Sequence, residues 1–257
     1  MTNNEKYQLL NESLKALSER AINLLILKGS AGTGKTYNVL KYMKENNLNY
    51  KYINNYTTPL SFYKIIYENR KRSIIIFDDT QSINDVRIKS MLKSICGELD
   101  DGRRVVSYYS TSPILEKNNL PESFEIPGAS IILIFNDDIS GFEPIINRGV
   151  AIDFSFGFEE MIEILEDIQK SAKIEQEVMD YVRENCNQAT LNLSIRALVI
   201  LSSLHRAGFD FKLFAREILK IDKGIYDLIN LSEKDWCDKT GQHRATYYRK
   251  RKSLKVA

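Results

Sequence analysis

Gly29-Ser30-Ala31-Gly32-Thr33-Gly34-Lys35-Thr36 carries the densest chemistry in the sequence. Its spacing is G-x-x-x-x-G-K-[ST], in which glycines let the backbone curl until its N–H groups converge on phosphate oxygens. Lys35 would reach the β- and γ-phosphates, and Thr36 would hold Mg²⁺. A glycine-rich turn that binds nothing is the plain alternative. Here an apolar run, Leu24–Leu27, leads in and a periodic helical stretch, Tyr37–Met43, leads out. That strand-to-helix setting adds the positive end of a helix dipole, so a nucleoside triphosphate with Mg²⁺ is the expected ligand.

Two further strand ends fit the same chemistry. Ser73-Ile74-Ile75-Ile76-Phe77 runs into Asp78 and Asp79, and Ser130-Ile131-Ile132-Leu133-Ile134-Phe135 runs into Asn136. A carboxylate at the end of a buried strand beside a phosphate loop can hold Mg²⁺ through water, and a second can orient the attacking water. Asp78 is assigned to the metal, Asp79 to the water, and Asn136 to a water or the γ-phosphate. Taken alone, an Asp pair at a strand end caps the next loop.

These residues need a scaffold of buried strands alternating with helices. Leu9, Leu10, Leu14 and Leu17 recur at helical spacing over residues 4–20, before the first strand. Tyr50–Ile53 reads as a second strand, Ser61–Glu68 as a helix and Asn84–Cys96 as another. Residues 103–109 and 123–126 read as paired strands of a β-hairpin that projects from the body, with Pro113, Lys117, Asn118, Asn119 and Pro121 between them. Pro144–Phe154 reads as a helix end, Arg148 and a further strand. After residue 157 the pattern is helical: 158–169, 175–185 and 193–205.

Composition sets the outer bounds. With 43% hydrophobic and 27% charged residues, the chain has the balance of a soluble globular protein. No apolar run approaches the roughly 18 residues of a membrane-spanning helix, and the opening Met-Thr-Asn-Asn-Glu-Lys lacks signal-peptide character. Cys96, Cys186 and Cys237 are widely separated and have no metal-ligand spacing, so a reducing, cytoplasmic setting is expected. His205 and His243 are too distant to form a metal or nucleophile site. The net charge of +2 hides an asymmetry, because Arg244, Arg249, Lys250, Arg251, Lys252 and Lys255 crowd the C-terminus with no acid after Asp238. A basic end on an acidic body suggests a polyanion partner; a solvated tail is the alternative.

In order and spacing, Gly29–Thr36, Asp78-Asp79, Asn136 and Arg148 resemble the AAA+ class of ring-forming ATPases over residues 22–200. The resemblance implies an α/β P-loop core with a parallel sheet over 1–156, a small α-helical lid over 157–230, and a C-terminal segment over 231–257. It makes Gly29–Thr36 the Walker A motif, Asp78 and Asp79 Walker B, and Asn136 sensor 1. Arg148 would be the arginine finger that reaches the nucleotide of a neighbouring subunit, so a homo-oligomer, a hexameric ring in the family, is implied. Arg196, in Leu193-Ser194-Ile195-Arg196, looks like a sensor 2 arginine that senses nucleotide state and swings the lid. Asp79 departs from the usual Glu, although paired Asp is similar to viral helicases of superfamily 3. Those relatives grip nucleic acid with a hairpin just before the sensor 1 strand, where Lys117 would be the tip cation. The loop also resembles the first motif of superfamily 1 helicases, but the remaining chain is too short for their second large domain.

The C-terminal segment has its own pattern. Ser232 can cap a short helix, Thr240-Gly241 breaks it, and a basic helix follows from Gln242 or His243. Helix, glycine turn and basic helix make a helix-turn-helix, whose second helix enters the DNA major groove. Trp236, Ala245 and Tyr248 are expected to form its core. Gln242, His243, Arg244 and Tyr247 are expected to face DNA bases or phosphates, and Arg249, Lys250, Arg251 and Lys252 the phosphate backbone. The alternative is a basic helix that docks on the protein's own acidic body.

Together these features predict an ATPase acting on DNA as an oligomer in replication, as a helicase, translocase or initiator of a phage or mobile element, alongside other replication proteins. An ATP-dependent switch, such as a helicase loader or transposition regulator, is the second reading. A protein-remodelling ATPase is the third.

Overall fold

The computed structural model describes residues 2–79, 81–110, 113–136, 139, 141–220, 227–228 and 231–254. The chain divides into two compact units, Met1–Ser155 and Phe156–Ala257.

The first unit is built on five parallel strands. They are β1 (Leu24–Lys28), β2 (Tyr50–Ile53), β3 (Ile74–Asp78), β6 (Ser130–Phe135) and β7 (Val150–Asp153), in the spatial order β2-β3-β6-β1-β7. Three of them, β1, β3 and β6, are almost continuous apolar runs because helices cover both faces of a parallel sheet. The register sets Lys28 opposite Phe135 and Asp78 opposite Ile134. All three inner strands therefore end at the same edge.

Helices α1 (Asn3–Ser18), α2 (Lys35–Glu45), α3 (Pro59–Glu68) and α4 (Val86–Cys96) pack against this sheet. Thr2 and Glu5 close a capping box on α1, which buries Leu10, Leu14 and Leu17. Thr58 caps α3, with Pro59 at its first position. Asp85 caps α4 by accepting from Arg87 N–H, and the hydrogen bond from the Arg87 side chain holds its carboxyl down at about 2. Short helices α5 (Ile114–Lys117) and α6 (Glu143–Ile146) sit within connections.

The expected hairpin exists but does not stand free. Strands β4 (Val105–Ser107) and β5 (Ser123–Glu125) pair antiparallel. Val106, Leu115, Leu120 and Phe124 are buried, so both strands and the helical tip are drawn into the core. Tyr63 on α3 fixes the ribbon by stacking near Phe124, 4.9 Å between ring centres, and by donating to Pro121 O. Apolar residues on one ribbon face cannot be left in water, and α3 and α4 offer the apolar surface that covers them.

In the second unit, α7 (Phe158–Ile168), α8 (Gln176–Asn185), α9 (Ile195–Arg206) and α10 (Phe211–Leu219) share a core of Met161, Leu165, Val178, Leu198, Leu201 and Phe211. A separate cluster of Leu228, Trp236 and Tyr247 joins α11 (Glu233–Thr240) to α12 (Arg244–Leu254). Ser232 caps α11 and Gly241 ends it at φ +65°, where only glycine is free of strain. Residues 255–257 of the expected C-terminal segment, and residues 221–226 and 229–230 of the expected lid, lie outside the described residues. Among the described residues, no helix is long and apolar enough to cross a membrane.

Candidate functional site

The loop after β1 has the backbone that its glycines foretell. Gly29, Gly32 and Gly34 have φ of +151°, +77° and +87°. A Cβ on Gly29 would meet Phe154 O at 2.5 Å, so this position admits no side chain. Lys35 is 3% exposed, and its Nζ donates to Gly29 O and Ser30 O, each at 2.7 Å. The ammonium thus lies inside the ring of loop carbonyls at the start of α2, beside the concavity into which the loop's N–H groups would point. Thr33 Oγ1 closes the loop on Ser30 O at 3.0 Å.

Two chain segments then converge on Asp78. Thr36 Oγ1 donates to Asp78 Oδ2 at 2.8 Å, and Tyr52 OH donates to the same oxygen at 2.6 Å. Burial, and after it the hydrogen bond to Asp78, pushes the Tyr52 phenol well above its ordinary value, which keeps it a donor. Next to it, Asp79 sits at φ +49° with its N–H on Ile134 O, and Asn136 Nδ2 donates to Asp79 Oδ2 at 2.8 Å. The loop, both acids and the amide therefore occupy one edge of the sheet, as the spacing predicts.

The donor set suits Mg²⁺, because a hydroxyl and a carboxylate are hard oxygen ligands. Among the described residues no three His, Cys, Asp or Glu gather into an all-protein cage. A cation here would be shared by Thr36, Asp78, water and phosphate oxygens, the usual arrangement for Mg²⁺ with a nucleotide. Tyr52 was not anticipated. Its only signal is the register, which sets Tyr52 opposite Ile76 and so on the face that Asp78 shares.

Arg148 lies elsewhere. Val150 pairs with Leu25, so Arg148 stands before the start of β1 while the phosphate loop follows its end. Five residues of strand separate the two levels by about 17 Å. Arg148 is exposed, and its Nη1 donates to Pro144 O. It cannot serve the loop of its own chain without refolding the sheet. In the second unit, Arg196 is exposed in the first turn of α9, whose cap is Ser194. Lys117 is exposed at the helical tip of the ribbon.

The C-terminal helices correct one expectation. Tyr247 is 2% exposed, packs 5.5 Å from Trp236 and donates to Leu231 O, so it cannot face a base. Tyr248 is 51% exposed and donates to Glu233, and Ala245 is exposed as well. The helix starts at Arg244, which turns 247 into the cluster with Trp236 and leaves 248, about 100° round, exposed beside the first turn of α11. Gln242, His243, Arg244, Arg249, Lys250, Arg251 and Lys252 are exposed. Arg244 pairs with Glu233, Lys250 with Gln242 and Arg251 with the Tyr247 hydroxyl. Arg249 and Lys252 have no side-chain partner among the described residues.

A sheet ordered β2-β3-β6-β1-β7, with a phosphate loop after β1, paired acids after β3 and Asn after β6, is the AAA+ P-loop fold. The solved structures agree. RuvB of Thermotoga maritima, a Holliday junction branch migration motor, matches 96% of this chain and 84% of its own with a TM-score of 0.53 at 15% identity. A point-substituted form of the same motor matches the same shares with a TM-score of 0.53 at 14% identity. In sequence, the chain is 26% identical over 227 residues to an uncharacterized 36.7 kDa protein in the nrdC-mobD intergenic region of Enterobacteria phage T4, covering 77% of this chain and 68% of that protein. No family model matches the chain.

Proposed function

We propose that this chain is an ATPase that hydrolyses Mg²⁺·ATP as an oligomer and acts on DNA, in replication, as a helicase, translocase or initiator of phage or mobile-element type. One observation carries the reading. Lys35, Thr36, Asp78, Asp79 and Asn136 meet at one edge of the sheet, while Arg148 stands at the other. The loop N–H groups and Lys35 would hold the β- and γ-phosphates, and Thr36 with Asp78 the metal. Asp79, steadied by Asn136, would orient the water. Arg148 would stabilise the charge developing on the γ-phosphate of the next subunit, so the isolated chain would hydrolyse slowly. Arg196 is the candidate nucleotide sensor of the second unit.

DNA enters through the C-terminal helices. Arg249 and Lys252 offer cations without a side-chain partner among the described residues, and Gln242, His243 and Arg244 are exposed just ahead of or within the first turn of α12. Lys117 on the ribbon is a further contact. The fold likeness to a branch migration motor is consistent with a DNA substrate.

A switch, loader or transposition regulator is the second reading, and the Asp79 geometry favours it. Asp is a methylene shorter than the usual acid, which would hold the attacking water farther from the γ-phosphate and slow hydrolysis. A protein-remodelling role draws support from Tyr56, which is 75% exposed in the segment after β2.

Steady-state ATPase rate against protein concentration, with and without single- and double-stranded DNA, tests the proposal. A rate that rises cooperatively and climbs with DNA supports the motor. Slow hydrolysis indifferent to DNA, with nucleotide still driving assembly, supports the switch. No nucleotide binding at all would overturn both.

A further inference from the structure

The Asp78 carboxylate takes two hydroxyl donors on one oxygen, and they come from different parts of the sheet. Thr36 belongs to the phosphate-loop helix and would keep its proton on Asp78 while its lone pair met the metal. Tyr52 comes from β2, the edge strand, and has no part in the nucleotide chemistry described above. Its ring spans the gap because the Cα of Tyr52 pairs with Ile76, two residues before Asp78 on the same face, about 6.6 Å away along the strand. A phenol is long enough for that reach, whereas Ser or Thr at this position would fall short. The 2.6 Å separation is that of a charge-assisted O–H···O⁻ bond.

From this geometry, and resting on the nucleotide-site reading, we infer that Tyr52 is a positioning residue that sets the rotation of Asp78 and thereby the affinity of the nucleotide-bound site for Mg²⁺. With both donors on Oδ2, Oδ1 would remain to accept from a water of the cation. Without the phenol, a single hydroxyl holds the carboxylate, which then swings about its Cβ–Cγ bond. Partners of this kind, one step removed from the metal, typically change metal affinity by ~10- to 100-fold. Because Asp78 would hold the cation through water, the lower end applies, about tenfold.

The test uses the full chain and a fluorescent ADP analogue, read by its emission and so independent of turnover. Mg²⁺ is titrated against the wild type, Tyr52→Phe and Tyr52→His, whose ring is too short to reach Oδ2. The Mg²⁺ concentration at half-effect is expected to rise about tenfold in both variants, while analogue affinity in EDTA stays within about twofold. In an Asp78→Asn background, Tyr52→Phe is expected to add little, because its action runs through that carboxylate. An unchanged or lower Mg²⁺ half-point, or an equal further loss on the Asp78→Asn background, overturns the inference. Analogue binding that is insensitive to Mg²⁺ in the wild type overturns it too. If the wild type binds no analogue and matches Lys35→Ala, the nucleotide-site reading itself fails, which is a distinguishable result.

Discussion

Asn136 Nδ2 donates to Asp79 Oδ2 at 2.8 Å, so the amide at the end of β6 holds the acid that follows β3. Two strands paired in register, Asp78 opposite Ile134, bring them together. An amide in this place orients a carboxylate without changing its charge. If Asp79 orients the water, Asp79→Asn should lower the hydrolysis rate at least ~10²-fold with nucleotide affinity nearly unchanged. Asn136→Ala should lower it by less, about tenfold, because the carboxylate remains but turns freely. Single-turnover hydrolysis beside equilibrium nucleotide binding separates the two effects.

Arg148 and the phosphate loop lie at opposite edges of one sheet, which makes a mixing experiment decisive. Arg148→Ala keeps its own loop, and Lys35→Ala keeps its arginine. Each alone should be nearly inactive, whereas an equimolar mixture should regain a measurable part of the wild-type ATPase rate. A mixture no more active than its parts would remove the trans role from Arg148.

Gly29→Ala is expected to damage both stability and binding. The added methyl meets a backbone carbonyl, Phe154 O, at 2.5 Å, and a carbonyl between β1 and β7 cannot move aside cheaply. Overpacking of this kind costs about 1–3 kcal/mol. Urea unfolding with and without nucleotide should reveal a lower midpoint and a smaller nucleotide-dependent shift.

Asp85 gives a pH signature. Its carboxyl is held at about 2 by the Arg87 side chain and by Arg87 N–H, below its ordinary 3.8. A lowered folded value means that the stabilisation is complete above the unfolded value and is lost as pH falls through the folded one. The stability difference between wild type and Asp85→Asn should therefore hold above pH 4, shrink between pH 4 and 2, and vanish below. A difference that stays constant across that window would sink this assignment.

The C-terminal helices separate core from contact. Tyr247→Ala should cost about 3 kcal/mol of local stability by emptying the ring packed on Trp236. Arg249→Ala and Lys252→Ala should leave the fold intact, weaken DNA binding for all sequences alike, and each reduce the salt slope by about one. Thermal melts and binding isotherms at several salt concentrations check both.

The phosphate loop was legible in the sequence because its chemistry is local: the glycines, Lys35 and Thr36 are contiguous, and their φ values follow from residue type. The inner strands were legible as apolar runs, and Asp78, Asp79 and Asn136 as the polar residues that end them. Helices α7, α8 and α9 came within two residues of their expected limits. α10 escaped notice, although Phe211, Ala215 and Leu219 are its buried face. The ribbon was read as a pair of strands, but not its descent onto α3, since which surface covers an apolar face depends on distant chain. Helix phase was the other weak point. Tyr247 and Tyr248 are neighbours of one type, and only the start of α12 at Arg244 decides which turns inward.

The order of chemistry along the chain, loop then acids then amide then arginine, was determined by the sequence alone, because the loop, the acids and the amide are each tied to the end of an apolar strand and Arg148 to the start of β7. Only the tertiary structure decided which of these groups meet. β6 inserts between β1 and β3, which lays Asn136 against Asp79. β7 joins the outer side of β1 and carries Arg148 to the far edge. β2 takes the opposite edge and swings Tyr52 onto Asp78. Parallel strands pair across long crossovers, so their neighbours are chosen by helix packing and sheet twist rather than by sequence proximity.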